Sequence, residues 1–226
     1  MIRAVVFDFD GVIANTEPLH FRALRDVLEQ EAVALTEADY YGRYLGYDDV
    51  GAFGAIAADR GVRWDPVYVT GLVTRKSARL EELESAASVL FPGASAAIRR
   101  MADECPLAIA SGALRAEIMQ VLNREDLAGF FPVVVAAGDT PASKPAPEPY
   151  LRAVERMAAA TGIALAPSDC VAIEDSRWGL ESARSAGLWT VGITHTYPAD
   201  MLTDAAGAVI LHLDELTWEL LRKFDN

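Results

Sequence analysis

At 226 residues, 52% hydrophobic and 23% charged, the chain has room for one large domain or a core domain with a smaller insert, and its composition excludes general disorder. A formal net charge of -13 argues against a nucleic-acid backbone as the main partner. Cys105 and Cys170 lie far apart, and each opens an apolar run, so two buried reduced thiols are expected rather than a disulfide or a metal pair. Residues 1–7 begin a strand directly, without signal- or transit-peptide character, and no apolar run approaches membrane-spanning length; the expectation is a cytoplasmic protein with no membrane partner.

The first element in chain order is a strand, AVVFD at 4–8. From 16 to 87 no convincing strand follows. The segments EPLHFRALRDVLEQEAV, TEADYYGRYL, DDVGAFGAIAADRG and VYVTGLVTRKSARLEELES read as successive helices, with Phe21, Leu24 and Leu28 at roughly helical spacing. LFPGA at 90–94 marks the return to a sheet pattern. Strand-like runs then alternate with helix-like ones. PLAIAS at 106–111, PVVVAA at 132–137, CVAIED at 170–175 and WTVGIT at 189–194 are separated by helical segments, and a weaker run, GAVIL, lies at 207–211. Ser176 is placed to cap the helix after the fourth run and Gly187 to stop it. Continuous rather than alternating hydrophobicity fits strands covered on both faces. The fold class predicted is therefore α/β, a doubly wound parallel sheet formed by 1–15 and 88–226, with an inserted small helical domain at 16–87. No G-x-G-x-x-G or G-x-x-x-x-G-K-[ST] loop is present.

In open α/β sheets ligands bind beyond the carboxyl ends of the strands, and four runs end in polar residues there. The first ends in Asp8-Phe9-Asp10, the second in Ser111-Gly112, the fourth in Glu174-Asp175, and the third leads after a short loop to Lys144. Asp8 and Asp10 alternate along an extended chain, so they start on one face, and Gly11 frees the backbone to turn. One such carboxylate can attack phosphorus to form an aspartyl phosphate, while the other protonates the leaving alkoxide and later deprotonates water. Two carboxylates beside a dianionic phosphate require a cation. Mg2+ suits oxygen ligands and phosphate, with Asp175 and Glu174 completing the protein ligands. Lys144 would offset charge, and Ser111 with neighbouring backbone N–H groups would donate to the phosphoryl oxygens. Taken singly, each group has a plainer reading: a turn, a helix cap, a solvated loop lysine or helix-start acids. Their joint occurrence at strand ends is what points to phosphoryl transfer.

DFDGV at 8–12, ASG at 110–112, SKPAPEPY at 143–150 and IEDS at 173–176 closely resemble the four motifs of the haloacid dehalogenase superfamily. The resemblance implies that the insert is a cap domain, that Asp8 is the nucleophile and that Asp10 is the acid/base. It also implies Mg2+ held by Asp8, the Asp10 carbonyl and Asp175, with Glu174 an outer contributor. The second aspartate marks the phosphotransfer branch of that family. Within it the chain is similar to the β-phosphoglucomutase and phosphoglycolate-phosphatase-like enzymes. Thr16, Glu17 and His20 lie on the first cap helix, with Thr16 and His20 one turn apart. His20 and Lys76 match positions the mutase uses; Arg75 and Lys76 would otherwise read as a solvated basic pair.

Two departures weigh against a mutase. Asp48 and Asp49, in the YLGYDD junction at 44–49, stand where that branch carries a basic residue, and Gly112-Ala113-Leu114-Arg115 replaces a Lys-Asn pair, with Arg115 as a substitute grip. The expected activity is hydrolysis of a small phosphate monoester, sugar- or glycolate-like, with a phosphosugar mutase as the alternative. A non-catalytic binding module would have lost part of the set, and a dehalogenase would need neither Asp10 nor the metal. The expected partner is a small phosphate ester; the sequence leaves the oligomeric state open, with a monomer favoured.

Overall fold

The computed structural model describes residues 1–45, 47, 49–85 and 88–225. Among these residues Ala4–Phe7 (β1), Leu107–Ala110 (β2), Val133–Val135 (β3), Cys170–Glu174 (β4), Trp189–Ile193 (β5) and Ala208–Ile210 (β6) form one sheet in the order β3-β2-β1-β4-β5-β6. Every neighbouring pair is parallel; Val5 stands opposite Leu107 on one side and Val171 on the other. All residues of β1, β2, β3 and β4 are buried, which is why their sequences run apolar without alternation.

Helices cover the sheet as the doubly wound reading predicts: Ala94–Ala102 (α5), Arg115–Arg124 (α6), Glu148–Thr161 (α7), Arg177–Ser185 (α8), Ala199–Leu202 (α9) and Trp218–Leu221 (α10). One face of β1, carrying Ala4 and Val6, shares a cluster with Tyr150, Val154 and Met157 of α7 and with Ala108, Val135 and Ala172 of neighbouring strands. Ser176 caps α8, accepting from the Gly179 N–H at 3.1 Å, and Gly187 takes φ +88 beyond that helix, as the sequence anticipates. Cys105 and Cys170 are both buried and unpaired. No described helix is long and apolar enough to cross a membrane.

The chain divides into two compact units, Met1–Asn15 with Val89–Asn226, and Thr16–Ser88. The regular elements among the second unit's described residues are helical: Glu17–Gln30 (α1), Glu37–Asp39 (α2), Asp49–Arg60 (α3) and Pro66–Ser85 (α4). Its core gathers Leu24, Val27 and Leu28 of α1, Phe53 and Ile56 of α3, and Val69 and Leu72 of α4. The segment TEADYYGRYL is not one helix. Thr36 caps a single α turn, and Tyr40–Tyr44 then widens into a π turn closed by Leu45 N–H to the Tyr40 carbonyl at 2.9 Å. Packing explains the widening: Phe21, Tyr40 and Tyr41 form an aromatic group, and Tyr40 and Tyr44 are both buried. The expected 87/88 boundary, and Gly46 and Asp48 of the YLGYDD junction, lie at or outside the edges of the described residues.

Candidate active site

Asp8 follows β1 directly, and its N–H donates to the Ile173 carbonyl of β4 at 2.9 Å. That bond sets Asp8 beside the end of β4, where Glu174 and Asp175 emerge. Beyond Asp8 the chain doubles back. The Phe9 carbonyl accepts from Ile13 N–H at 2.8 Å and Ala14 N–H at 3.0 Å, and Gly11 N–H reaches the Ala14 carbonyl at 3.0 Å. Gly11 has φ +75, and a Cβ on it would run into the Asp175 carboxylate, so only glycine fits on both counts.

Lys144 joins the strands' acids. Its Nζ lies 3.0 Å from Asp8 Oδ1 and 2.6 Å from Glu174 Oε1, and sits 5.1 Å from the centre of the Tyr150 ring. Glu174 is wholly buried and heavily solvated by protein. Its Oε1 takes Lys144 and the Tyr150 hydroxyl at 2.9 Å; its Oε2 takes the N–H of Asp175 at 3.1 Å, the N–H of Ser176 at 3.2 Å and the Ser176 hydroxyl at 3.1 Å. Five donors use up a carboxylate's accepting positions. A Cβ on Gly179 would collide with the Glu174 carboxylate, so the acid is pressed against the first turn of α8. Gly179→Ala is therefore expected to cost about 1–3 kcal/mol. A denaturant titration checks this, and unchanged stability would contradict the placement of Glu174.

Asp8, Glu174 and Asp175 each offer an oxygen within 4.8 Å of the others. Three carboxylates face one ammonium, and the titration behaviour follows. Burial, then Glu174, pushes the Asp8 carboxyl well above its usual range, with Lys144 pulling the other way. Burial and Glu174 raise Asp175 to about 7, opposed by a hydrogen bond from the Thr196 side chain and by Lys144. Burial alone would lower the Lys144 ammonium, yet Asp8 and Glu174 outweigh it and raise its value. An all-oxygen set with excess negative charge fits a hard divalent cation.

The structure brings Asp8, Lys144, Glu174 and Asp175 together. Asp10 is half-buried in the turn, and its carboxylate is not one of the three clustered acids. Ser111 is buried at the end of β2, its N–H on the Val135 carbonyl at 2.9 Å and its Oγ accepting from Ala113 N–H at 3.1 Å. Gly112 follows with open space around its Cα. Arg115 does not join the cluster: its guanidinium bonds the Val134 carbonyl at 2.8 Å and Asp139 at 2.5 Å.

The helical unit holds its own polar group. Lys76 is 2% exposed, in line with the buried Val69, Leu72 and Leu80 of α4, so it is no solvated lysine. Its Nζ donates to Asp49 Oδ1 at 2.7 Å and lies 2.9 Å from His20 Nδ1. An ammonium can only donate, so Nδ1 accepts and the imidazole is neutral with its proton on Nε2; burial and Lys76 lower His20 to about 4. Glu17 accepts from the Tyr40 hydroxyl, Thr16 is buried just before α1, and Arg75 pairs with Glu31 at 2.6 Å.

A family model described as haloacid dehalogenase-like hydrolase matches residues 2–187. The chain belongs to this family. Among relatives of this hydrolase, a phosphorylated carbohydrates phosphatase of Thermotoga maritima is 30% identical over 227 residues, covering 98% of this chain and 99% of that protein. The β-phosphoglucomutase of Bacillus subtilis is 28% identical over 227 residues, covering 98% of this chain and 95% of that protein. A Thermotoga maritima crystal structure, provisionally described as a β-phosphoglucomutase, is 28% identical with a TM-score of 0.81, covering 98% of this chain and 99% of that one.

The four motifs leave three residues around the candidate site without a role. Tyr150 falls within SKPAPEPY but on a buried helical stripe that looks like core. His195 and Thr196 follow β5. The rule applied to four other runs, that polar residues at strand carboxyl ends matter, would have flagged both.

Proposed function

We propose that this hydrolase is an Mg2+-dependent, cytoplasmic phosphatase of small phosphate monoesters, sugar- or glycolate-like, working through an aspartyl phosphate on Asp8. The observation that carries the reading is the buried Lys144 ammonium held between Asp8 and Glu174, beside Asp175. The side chains of Asp8 and Asp175, with the Asp10 main-chain carbonyl, would hold the metal. When bound, it neutralises the anionic cluster and polarises a phosphoryl oxygen. Glu174, with five donors, organises Lys144 and the α8 turn rather than serving as a ligand.

Asp8 attacks phosphorus: an Oδ–P bond forms, the ester P–O bond breaks, and the bonding pair leaves on the alkoxide. Asp10 gives that alkoxide its proton. The ionised Asp10 then takes a proton from water, whose oxygen attacks phosphorus, breaking the Asp8–phosphate bond and releasing inorganic phosphate. Lys144 favours the ionised form of Asp8 against burial and Glu174, and offsets charge on the phosphoryl group. Ser111 already accepts the Ala113 N–H, which leaves its hydroxyl proton for a phosphoryl oxygen, with the Gly112 N–H as a second donor.

We assign substrate choice to the helical unit, acting as a cap, with Thr16, Glu17, His20 and Lys76 as its recognising residues. A mutase must grip a second phosphate, and here the cap's buried ammonium is already spent on Asp49. A neutral imidazole beside a paired lysine suits a hydroxylated group better than an anion, which supports hydrolysis over mutation.

The test is a panel of small phosphate esters including β-glucose 1-phosphate, run with Mg2+ and with EDTA. Net phosphate release that EDTA silences and Mg2+ restores is the expected result. Formation of glucose 6-phosphate without release would overturn the phosphatase in favour of the mutase, and metal-independent turnover would overturn the site.

A further inference from the structure

We propose that His195, which lies in none of the four motifs, is a positioning residue for the loop that carries Asp10. This rests on the phosphoryl-transfer reading above. Gly11 immediately follows Asp10, and its carbonyl lies 2.9 Å from His195 Nδ1. A carbonyl only accepts, so Nδ1 bears the proton and donates. The imidazole is itself held, stacked on Phe91 with ring centres 3.8 Å apart and planes 13° from parallel. Phe91 in turn is tied to the same loop, its N–H donating to the Ile13 carbonyl at 3.0 Å, while Ala14 bridges to Leu90.

The contacts close a circuit: Gly11 to His195, His195 to Phe91, Phe91 to Ile13, and back along the chain. The turn between Asp8 and Ala14 is thereby gripped from outside itself at Gly11, Ile13 and Ala14. Its internal bonds set the turn's shape, whereas the histidine holds the Gly11 carbonyl, and with it the Gly11–Val12 peptide, in place. Gly11 is bonded directly to Asp10, so a shift of this part of the loop would carry the Asp10 carboxyl away from a leaving oxygen. Proton transfer tolerates little such misplacement. The neighbouring Thr196 hydrogen-bonds Asp175, so two consecutive residues after β5 hold groups on β1's loop and at the end of β4.

Two variants separate the hydrogen bond from the stacking. His195→Phe keeps an aromatic ring for Phe91 but has no donor; His195→Asn loses the ring but places an N–H at the same distance from Cβ. Both are compared with the wild type for kcat, KM, the Mg2+-induced shift in melting temperature, and amide exchange over residues 9–14. The expected result for His195→Phe is a kcat about tenfold lower, an unchanged KM and metal shift, and faster exchange in 9–14. His195→Asn is expected to restore kcat to within a few-fold of wild type. Wild-type kcat and exchange in His195→Phe would overturn the proposal. So would equal losses of kcat and melting temperature in both variants, which would make the histidine mere packing. If the wild type hydrolyses no phosphate ester, the functional reading falls, and the exchange comparison still decides whether His195 orders the loop.

Discussion

Asp8→Asn is expected to lower turnover of any phosphate ester by at least about 10^4-fold, since the group that forms the covalent bond is replaced by a non-nucleophilic amide of the same shape. The amide oxygen can still accept the Phe9 N–H that Asp8 Oδ1 accepts at 2.7 Å, so the turn is retained. Stability should move the other way from activity. Asp8 sits among Glu174 and Asp175, which with burial raise its carboxyl well above the usual range. An acid raised in the folded state loses its stabilising contribution as pH climbs through its folded value, so removing its charge relieves the folded protein at pH 8. Metal-free Asp8→Asn is therefore expected to melt no lower than metal-free wild type while being inactive. Appreciable residual turnover would sink the nucleophile assignment.

The second large effect is expected at Lys144. Lys144→Met keeps a long apolar stem over Tyr150 but leaves Asp8, Glu174 and Asp175 without their ammonium. Breaking a buried charge pair from one side costs about 3–5 kcal/mol, because the stranded charge stays desolvated. The sign with pH follows from the acids. Lys144 is among the groups that lower Asp8 and Asp175, and Asp175 already stands at about 7 with it present. Without it both rise further, so the variant loses stability over a wider span as pH increases. In EDTA the deficit relative to wild type should be smaller at pH 5 than at pH 8, read from denaturant melts at the two values. Turnover should fall on the order of 10^3-fold with loss of charge stabilisation at the phosphoryl group. A deficit independent of pH would mean that the lysine does not balance these acids.

What was legible in the sequence was whatever one-dimensional pattern records. Runs such as AVVF and CVAIE announce strands buried on both faces, and Asp8, Ser111 and Asp175 stand out because a strand's end fixes where a polar residue must emerge. Pairings made at a distance left no such trace. Glu174 beside Asp175 looks like a second ligand until five donors converge on it from Lys144, Tyr150, Asp175 and Ser176. Tyr150 sits on the same stripe as Ala153, Val154 and Met157, so its hydroxyl is hidden by its ring. Lys76 reads as half of a basic surface pair, although its register with Leu72 and Leu80 places it inside; only the partner, Asp49, explains how a charge can be there. The π turn at Tyr40–Tyr44 is invisible because residues four apart suit an ordinary helix equally well.

The order of strands also bears on how the molecule is assembled during synthesis. β1 is made first, yet its neighbours β2 and β4 arrive only after the whole helical unit and, for β4, most of the chain. The helical unit, a compact set of contacts within Thr16–Ser88, is synthesised long before then. Until β4 docks, β1 keeps an unpaired edge, the kind of surface that invites misassembly in slow, non-local folding. The same docking delivers Glu174 and Asp175 to Asp8. Closing the central strand and completing the acid cluster are thus one event, and a nascent chain acquires its acid cluster only when β1 is paired on both sides.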